Sequence, residues 1–401
     1  MNILFLTLSQ QFLHVEEPGI YTDLMKYFRD NGHNIYVVMP FERRFKKQTA
    51  LSEICGFHVL GVKTLNVQKT NMIEKGLSYV LLERQFVNGI RKYLKDIKFD
   101  VVLYSTPPIT LAKAVEYVKK RDGAKSYLML KDIFPQNAID IGLMSQNVLW
   151  KFFLKKEQKL YKVSDYIGCM SPRNCEYLLE QNSWIDERIV EVCPNSEFEE
   201  EAQIIDKDSL RAKYGLPKDR MILVYGGNLG KPQGIDFLVE AMRANKTNQK
   251  VFFLIVGAGT EYHKLDEYIK EGMPQNVALR SFVPRNEYEE MVRACDIGLI
   301  VLDKRFTIPN YPSRIIAYMK NKMPVLTATD RSTDIGTIAE QNGYGYAAWS
   351  DDVESFNCGL KKFTDHPESL KEMGENGYKF FKNNYTIKHT YDIIMKHFEH
   401  V

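Results

Sequence analysis

Apolar residues fall in short continuous runs separated by stretches with helical spacing, and this alternation recurs along almost the whole chain. Residues 2–8 form an unbroken apolar run with aromatic and β-branched members, as a strand buried on both faces of a parallel sheet requires. Helical spacing follows from Gly19 to about Phe28, and Gly32-His33-Asn34 turns into a second buried run, Ile35-Tyr36-Val37-Val38-Met39. The order continues with an amphipathic stretch near 72–97, a strand at 100–104, a helix at 109–120 and a strand at 126–131. A helix at 147–162, a strand at 165–170, a helix at 173–182 and a strand at 188–192 complete this half. Pro194-Asn195 and the acidic run Glu197-Phe198-Glu199-Glu200-Glu201 then break the pattern, and their charge density predicts a linker. A second alternation runs through 221–225, 251–256, 277–279, 297–301 and 325–327. Strands alternating with helices predict doubly wound α/β domains. The expected division is 1–195 and 196–382, with a C-terminal helix at about 383–401 packing back on the first domain.

Open α/β sheets bind ligands beyond the carboxyl ends of their strands, so two such domains should face their sites across a cleft. Three segments of the second domain lie at such ends. Tyr225-Gly226-Gly227-Asn228-Leu229-Gly230-Lys231-Pro232-Gln233-Gly234 and Val256-Gly257-Ala258-Gly259-Thr260 are glycine-rich turns between strand and helix, where backbone can approach a ligand closely. The third is Thr307 to Met319. Pro309 and Pro312 block a helix upstream, Pro312 suits a first helical position, and Ile315, Ile316 and Met319 continue at helical period. The expected helix begins near Pro312, and its first-turn amides, with Ser313 and Arg314 beside them, suit a phosphate or diphosphate. A capped surface helix with a solvated arginine is the alternative. One Gly-x-Gly turn is ordinary structure; three segments at one sheet edge predict nucleotide binding.

In the first domain Glu17-Pro18-Gly19-Ile20 stands where the first strand hands over to the first helix. Lys131-Asp132-Ile133-Phe134-Pro135-Gln136 follows another strand, and Asp132 is the carboxylate best placed to meet substrate, the alternative being a helix cap or turn residue. Ser105-Thr106-Pro107-Pro108 marks the same edge; its hydroxyl pair either binds a sugar or caps the next helix.

At 401 residues and 44% hydrophobic, the chain has room for two domains with separate cores. A net charge of +3 is too small for a nucleic-acid partner, but it divides unevenly, with about +6 in residues 1–195 and about −3 beyond. The six cysteines show no metal-like spacing and are expected to be reduced and mostly buried. The N-terminus lacks a basic region and a cleavage site, and no apolar run reaches membrane-spanning length, which predicts a cytoplasmic protein or one attached to the inner membrane's cytoplasmic face. Two basic-aromatic stretches, Phe41 to Lys47 and Trp150 to Lys156, suit peripheral membrane contact, with a solvated loop and an ordinary core helix as alternatives.

Together the turns resemble the retaining glycosyltransferases of family 4, which have the GT-B fold of two doubly wound Rossmann-like domains. The resemblance rests on Glu17-Pro18-Gly19, Asn31-Gly32-His33-Asn34-Ile35, Ser105-Thr106-Pro107-Pro108, Asp132-Ile133-Phe134-Pro135, Ser171-Pro172, Pro194-Asn195, Gly227-Asn228-Leu229-Gly230-Lys231, Gly257-Ala258-Gly259, Ala294-Cys295-Asp296-Ile297-Gly298-Leu299 and Pro312-Ser313-Arg314. It looks most like the branch that extends O-antigen, capsule or exopolysaccharide units on a polyprenyl diphosphate. The resemblance implies a nucleotide-sugar donor, UDP-linked by expectation, held by Gly227, Asn228, Lys231, Gln233, Gly257, Gly259, Val283, Pro312, Ser313 and Ala317. It implies a lipid-linked glycan acceptor near Glu17, Pro18, Gly19, Thr106, Pro107 and Asn195, with Asp132 and Arg314 as catalytic residues. It also implies same-face chemistry without a metal or other cofactor; no Asp-x-Asp stands at a strand end to hold Mg²⁺. The chain departs from the family in placing Asn228 and Gln233 where an Arg and a Lys are usual, and Pro309 and Ala317 where a glutamate pair is usual. Those departures motivate a rival reading, a catalytically silent GT-B subunit. A nucleotide-sugar epimerase shares the fold but needs a second acid–base set, and a dehydrogenase needs a third glycine that Gly257-Ala258-Gly259 lacks.

Overall fold

The structure is a computed structural model and describes residues 1–67, 70, 72–199, 206–281 and 283–398. It divides into two units, Met1–Phe198 together with Thr386–Val401, and Glu199–Tyr385. Glu200 and Glu201 of the expected linker and residues 399–401 of the expected last helix lie outside the described residues.

Unit 1 runs β1 (Asn2–Leu6), α1 (Ile20–Asp30), β2 (Asn34–Glu42), β3 (Ala50–Ile54), β4 (Phe57–Thr64), α2 (Met72–Tyr93), β5 (Val101–Ser105) and α3 (Ala112–Asp122). It continues through β6 (Lys125–Leu130), α4 (Gln136–Asp140), α5 (Val148–Val163), β7 (Tyr166–Cys169), α6 (Pro172–Gln181) and β8 (Val190–Val192). The sheet order is β3-β4-β2-β1-β5-β6-β7-β8, parallel except where β3 meets β4. Because side chains alternate across a strand, one apolar run supplies two cores. Leu4, Leu6, Val102 and Leu128 pack with α2, α3 and α5 on one face, while Ile3, Phe5, Leu103 and Met129 pack with α1 on the other. The β3–β4 hairpin is absent from the sequence reading. Its β3 residues are mostly exposed, so no apolar run marks them, and its turn is Cys55-Gly56, with φ of 49° and 78°. Two left-handed residues joining Ile54 to Phe57 make the turn whose twist matches paired strands, here without the usual Asn-Gly.

Unit 2 contains α7 (Lys207–Tyr214), β9 (Met221–Asn228), α8 (Ile235–Ala244), β10 (Val251–Ala258), α9 (Tyr262–Gly272), β11 (Val277–Arg280), α10 (Arg285–Arg293) and β12 (Ile297–Val301). After these come α11 (Arg314–Lys320), β13 (Val325–Thr329), α12 (Ile335–Gln341), β14 (Gly345–Trp349), α13 (Val353–Asp365) and α14 (Ser369–Asn384). Its sheet, β11-β10-β9-β12-β13-β14, is wholly parallel and buries Leu223, Tyr225, Phe253, Ile255, Leu299 and Leu326. Of the six cysteines, Cys169, Cys193 and Cys295 are buried, Cys175 is half-buried, and Cys55 and Cys358 are exposed, so burial is less general than expected.

The last helix, α15 (Ile387–Met395), returns to unit 1. Its Ile387, Ile394, Met395 and the following Phe398 join the core against α1, and Tyr391 stacks edge-on against Phe28 at 4.8 Å while its hydroxyl meets His33 Nε2 at 3.0 Å. Ile394→Ala should therefore lower the stability of unit 1 by about 2–5 kcal/mol. Urea unfolding followed by Trp150 and Trp184 fluorescence in a Trp349→Phe background measures this; a loss under about 1 kcal/mol would remove α15 from the core.

Candidate functional site

The turn at the carboxyl end of β9 is built by close backbone approach. β9 and β10 stay paired to Gly257↔Gly227 and Ala258↔Asn228, and a Cβ on Gly257 would stand 1.9 Å from the Gly227 carbonyl oxygen. A Cβ on Gly259 would meet the Leu229 backbone at 2.3 Å. Gly257 and Gly259, expected as ligand-approach positions, are thus required by the contact between two turns. Gly227 differs: its φ of 125° is closed to ordinary side chains, its surface is exposed, and its nearest side-chain neighbour is the Arg314 guanidinium.

Arg314 is the first residue of α11, two positions later than the helix start the prolines predicted. Ser313 takes the cap position with helical φ and ψ, and Ile315 and Ile316 donate to the carbonyls of Pro312 and Ser313 in a tightened turn. Those two amides are engaged, and the helix has seven residues, so the expected diphosphate site on the helix end is replaced by one centred on a side chain. Upstream, Asn310 N–H donates to Thr333 Oγ1 at 3.0 Å, and Thr333 is tied to Asp330, which fixes the segment leading into α11.

The Arg314 guanidinium lies 4.2 Å from the Tyr225 ring centroid. Its Nη2 donates to Gln233 Oε1, which also accepts from the Tyr225 hydroxyl at 3.1 Å, while Nη1 is buried with no partner. Among the described residues no carboxylate pairs with it. Burial works against the charge, but the surrounding phenols of Tyr225, Tyr318 and Tyr288 accompany a net rise in its pKa, and a guanidinium stays charged in any case. The residue is half-buried, with Nη1 shielded and Nη2 facing the turn, so part of its hydrogen-bonding capacity is left for an anion. Gln233 therefore orients the arginine, where the sequence suggested a donor contact of its own. Tyr225, Tyr288 and Tyr318 were missed. Their signals were present, since Tyr225 opens the glycine turn and Tyr318 stands four residues after Arg314 on the same helix face.

The other expected donor residues are dispersed. Asn228 is exposed and lies beside Gly230; Pro312, Ser313, Ala317 and Val283 are half-buried. Lys231 is exposed and lines a cavity of about 790 Å³ between α8 and α9. That cavity carries both signs of charge, Asp236, Glu240, Glu261, Glu267, Glu271 and Asp303 against Lys231, Arg243, Lys264, Lys304 and Arg305, and Lys264 and Arg305 are already paired with carboxylates there.

In unit 1 Thr106 Oγ1 accepts from the Lys131 and Asp132 amides at 2.9 and 3.0 Å and donates to the Asp132 carbonyl at 3.1 Å. The hydroxyl is a rivet for the β6–α4 loop, not a sugar contact, and it neither caps α3 nor leaves capacity for a ligand. Pro107, joined to Thr106 by a cis bond, is exposed. The rivet holds Asp132 by its backbone. No donor among the described residues reaches its carboxyl, and α4 is capped at Pro135, so Asp132 is not a helix cap. The side chain is solvent-accessible yet crowded by protein, and that desolvation raises its carboxyl to about 6. Its charge adds to the burial that raises the nearby phenols of Tyr21, to about 12, and Tyr79. Gly19 N–H donates to Asp23 at 2.9 Å, Glu17 and Pro18 are exposed before α1, and Asn195 is half-buried after β8.

Two Rossmann-type units, one presenting a half-buried arginine beside a glycine turn, have the GT-B fold. Residues 206–380 match the family described as glycosyl transferases group 1, so unit 2 is a group 1 glycosyltransferase domain. Among curated relatives, the chain is 22% identical over 281 residues to a probable glycosyltransferase, WbjE, of Pseudomonas aeruginosa, covering 69% of each protein. It is 28% identical over 166 residues, 39% of each chain, to a putative colanic acid biosynthesis glycosyl transferase, WcaI, of Escherichia coli K12. Among solved structures it is similar to Anabaena Alr3699/HepE in complex with UDP, at a TM-score of 0.72 and 13% identity over 100% of both chains.

Because Asp132 has a raised folded pKa, its unfolded form ionises first as pH rises, and stability is lost between about pH 4 and 6. Asp132→Asn should thus melt higher than the native protein at pH 7.5, with the difference vanishing toward pH 4. Thermal melts at the two pH values check this, and an offset equal at both would contradict a desolvated carboxylate.

Proposed function

We propose that the protein is a retaining glycosyltransferase that moves a hexosyl or N-acetylhexosaminyl group from a UDP-sugar to a polyprenyl-diphosphate-linked glycan in surface polysaccharide assembly. The observation that carries this reading is the half-buried Arg314 guanidinium, stacked on Tyr225, steered by Gln233 and without a carboxylate partner among the described residues. The names of WbjE and WcaI support the polysaccharide setting, and the UDP complex of HepE supports the donor class.

In the proposed reaction the acceptor oxygen bonds to the anomeric carbon on the face from which the diphosphate departs. The bond from that carbon to the phosphate oxygen breaks, and the acceptor proton passes to the departing diphosphate. Arginine stabilises the charge that grows on the leaving group, which lowers the barrier because the contact strengthens in the transition state. Asp132, ionised at neutral pH, orients the acceptor hydroxyl. Charge stabilisation comes from the side chain, so the reaction is proposed to proceed in EDTA.

Arg314→Ala should lower kcat on the order of 10²-fold, about 2.7 kcal/mol, and weaken UDP binding, with Arg314→Lys recovering part of the loss. UDP release from UDP-sugars with a lipid-linked acceptor, plus calorimetric UDP binding, makes the measurement. Unchanged kcat and UDP affinity in the alanine variant would take the diphosphate away from Arg314. Binding of UDP without turnover on any acceptor would favour a silent subunit.

We also propose peripheral membrane attachment, relocated from the expected aromatics. Phe41 and Phe153 are core residues, and Lys156 is paired with Glu83 at 2.7 Å. The exposed apolar side chains are instead Leu143, Val148 (85% exposed) and Leu149, followed by exposed Lys151 and Lys155. Aliphatic residues backed by cations, each contributing about 1 kcal/mol over anionic lipid, give reversible binding. No helix among the described residues is long and apolar enough to cross a membrane. Co-sedimentation at low salt should pellet the native protein with anionic vesicles and not with neutral ones. The Val148→Asp/Leu149→Asp variant should stay in the supernatant with both; pelleting like the native protein would rule out this patch.

A further inference from the structure

Beside the Asp132 loop, unit 1 contains a cavity of about 260 Å³ that none of the donor chemistry uses. Its walls come from Ile133 and Pro135 of that loop, from α5 and from α6. At about 30 Å³ per water, its volume suits a single sugar ring and not a nucleotide. Two features set it apart from a packing defect. Glu157 of α5 is 7% exposed, and its carboxyl has one contact among the described residues, the Tyr161 hydroxyl donating at 2.7 Å. Trp150, two helical turns earlier on the same wall, has its indole N–H buried with no partner among the described residues. A buried donor and a buried carboxyl in partial use are rare in native interiors and mark a place where a ligand or water completes the bonding.

We infer that this cavity binds one neutral pyranose of the glycan acceptor. The inference rests on the glycosyltransferase reading above. Trp150, Tyr177 and Tyr161 offer ring faces for the C–H side of a sugar, while Glu157, Gln158 and Gln181 offer the mixed donors and acceptors that hydroxyls need. The lining holds no Lys or Arg to pair an anionic ligand. Burial holds Glu157 protonated up to about pH 8. A uronate or phosphate would find no cation in the wall; a neutral sugar meets a protonated carboxyl and an N–H that can both donate.

Saturation-transfer NMR with the methyl glycosides of glucose, galactose and N-acetylglucosamine tests this, with the free sugars run in parallel. At least one glycoside should bind the native protein, and Trp150→Phe or Glu157→Gln should weaken it about tenfold without changing UDP affinity. Gln181→Leu, on the opposite wall, should do the same and serves if the α5 variants fail to fold. Arg314→Ala should lose UDP and keep the glycoside, so failure of the donor reading is told apart from failure of the pocket. No glycoside binding to the native protein, unaltered binding in the folded variants, or a site that takes free sugars and rejects glycosides would each overturn the assignment.

Discussion

The stacking of Arg314 on Tyr225 is the interaction on which the ligand edge of unit 2 depends. A half-buried guanidinium gives up part of its hydration, and the cation–π contact and the amide oxygen of Gln233 offset some of that loss without neutralising the charge. The groups around the arginine hold it in that condition. Gln233 fixes one nitrogen through an oxygen already bound by Tyr225, Gly227 leaves the guanidinium uncovered, and Tyr318 anchors α11 by donating to the Val224 carbonyl at 3.1 Å. The preorganisation resides in rings and amides, not in a salt bridge, so it does not neutralise the charge it positions.

Much of this was legible in the sequence. Buried parallel strands announce themselves by continuous apolar runs, and most strands of both sheets, the edge strands β8 and β11 included, were found from them. The β3–β4 hairpin and β14 were not. β3 is exposed and has no run, its turn uses Cys55-Gly56 instead of a standard pair, and β14 reads Gly-Tyr-Ala-Ala-Trp, with too few β-branched residues to stand out. At the expected site, the structure gives several residues reasons that the sequence did not suggest. Thr106 looked like a ligand contact because a hydroxyl after a strand is ambiguous until its partners are known; the structure engages it fully with backbone. Gly257 and Gly259 looked like ligand-approach glycines, but the backbone approaching them is Gly227 and Leu229. Neither distinction is encoded in spacing, because each depends on a segment about 25 to 30 residues away in the chain.

The two units solve opposite electrostatic problems with the same device. In unit 2 a cation is kept charged and unpaired; in unit 1 a carboxylate is kept unpaired and pushed to about 6. In both, the functional side chain is positioned through something other than its charge, by a ring in one case and by a threonine pinning backbone amides in the other. That separation matters physically. A residue positioned by an ion pair has its charge largely satisfied, whereas among the described residues neither of these two is paired with an opposite charge.

This separation also bears on the departures from the family pattern at Pro309 and Ala317. A glutamate at Ala317, three residues along α11 from Arg314, would bring a negative charge within a helical turn of the arginine and stabilise it. Ala317 is instead half-buried and neutral, and that edge of unit 2 holds a cation unopposed by any carboxylate among the described residues. On the proposed reading, a cation without a carboxylate beside it recognises a diphosphate more than a sugar, and sugar selectivity would then fall to the acceptor side, where the α5–α6 cavity beside the Asp132 loop holds a carboxyl, amides and rings.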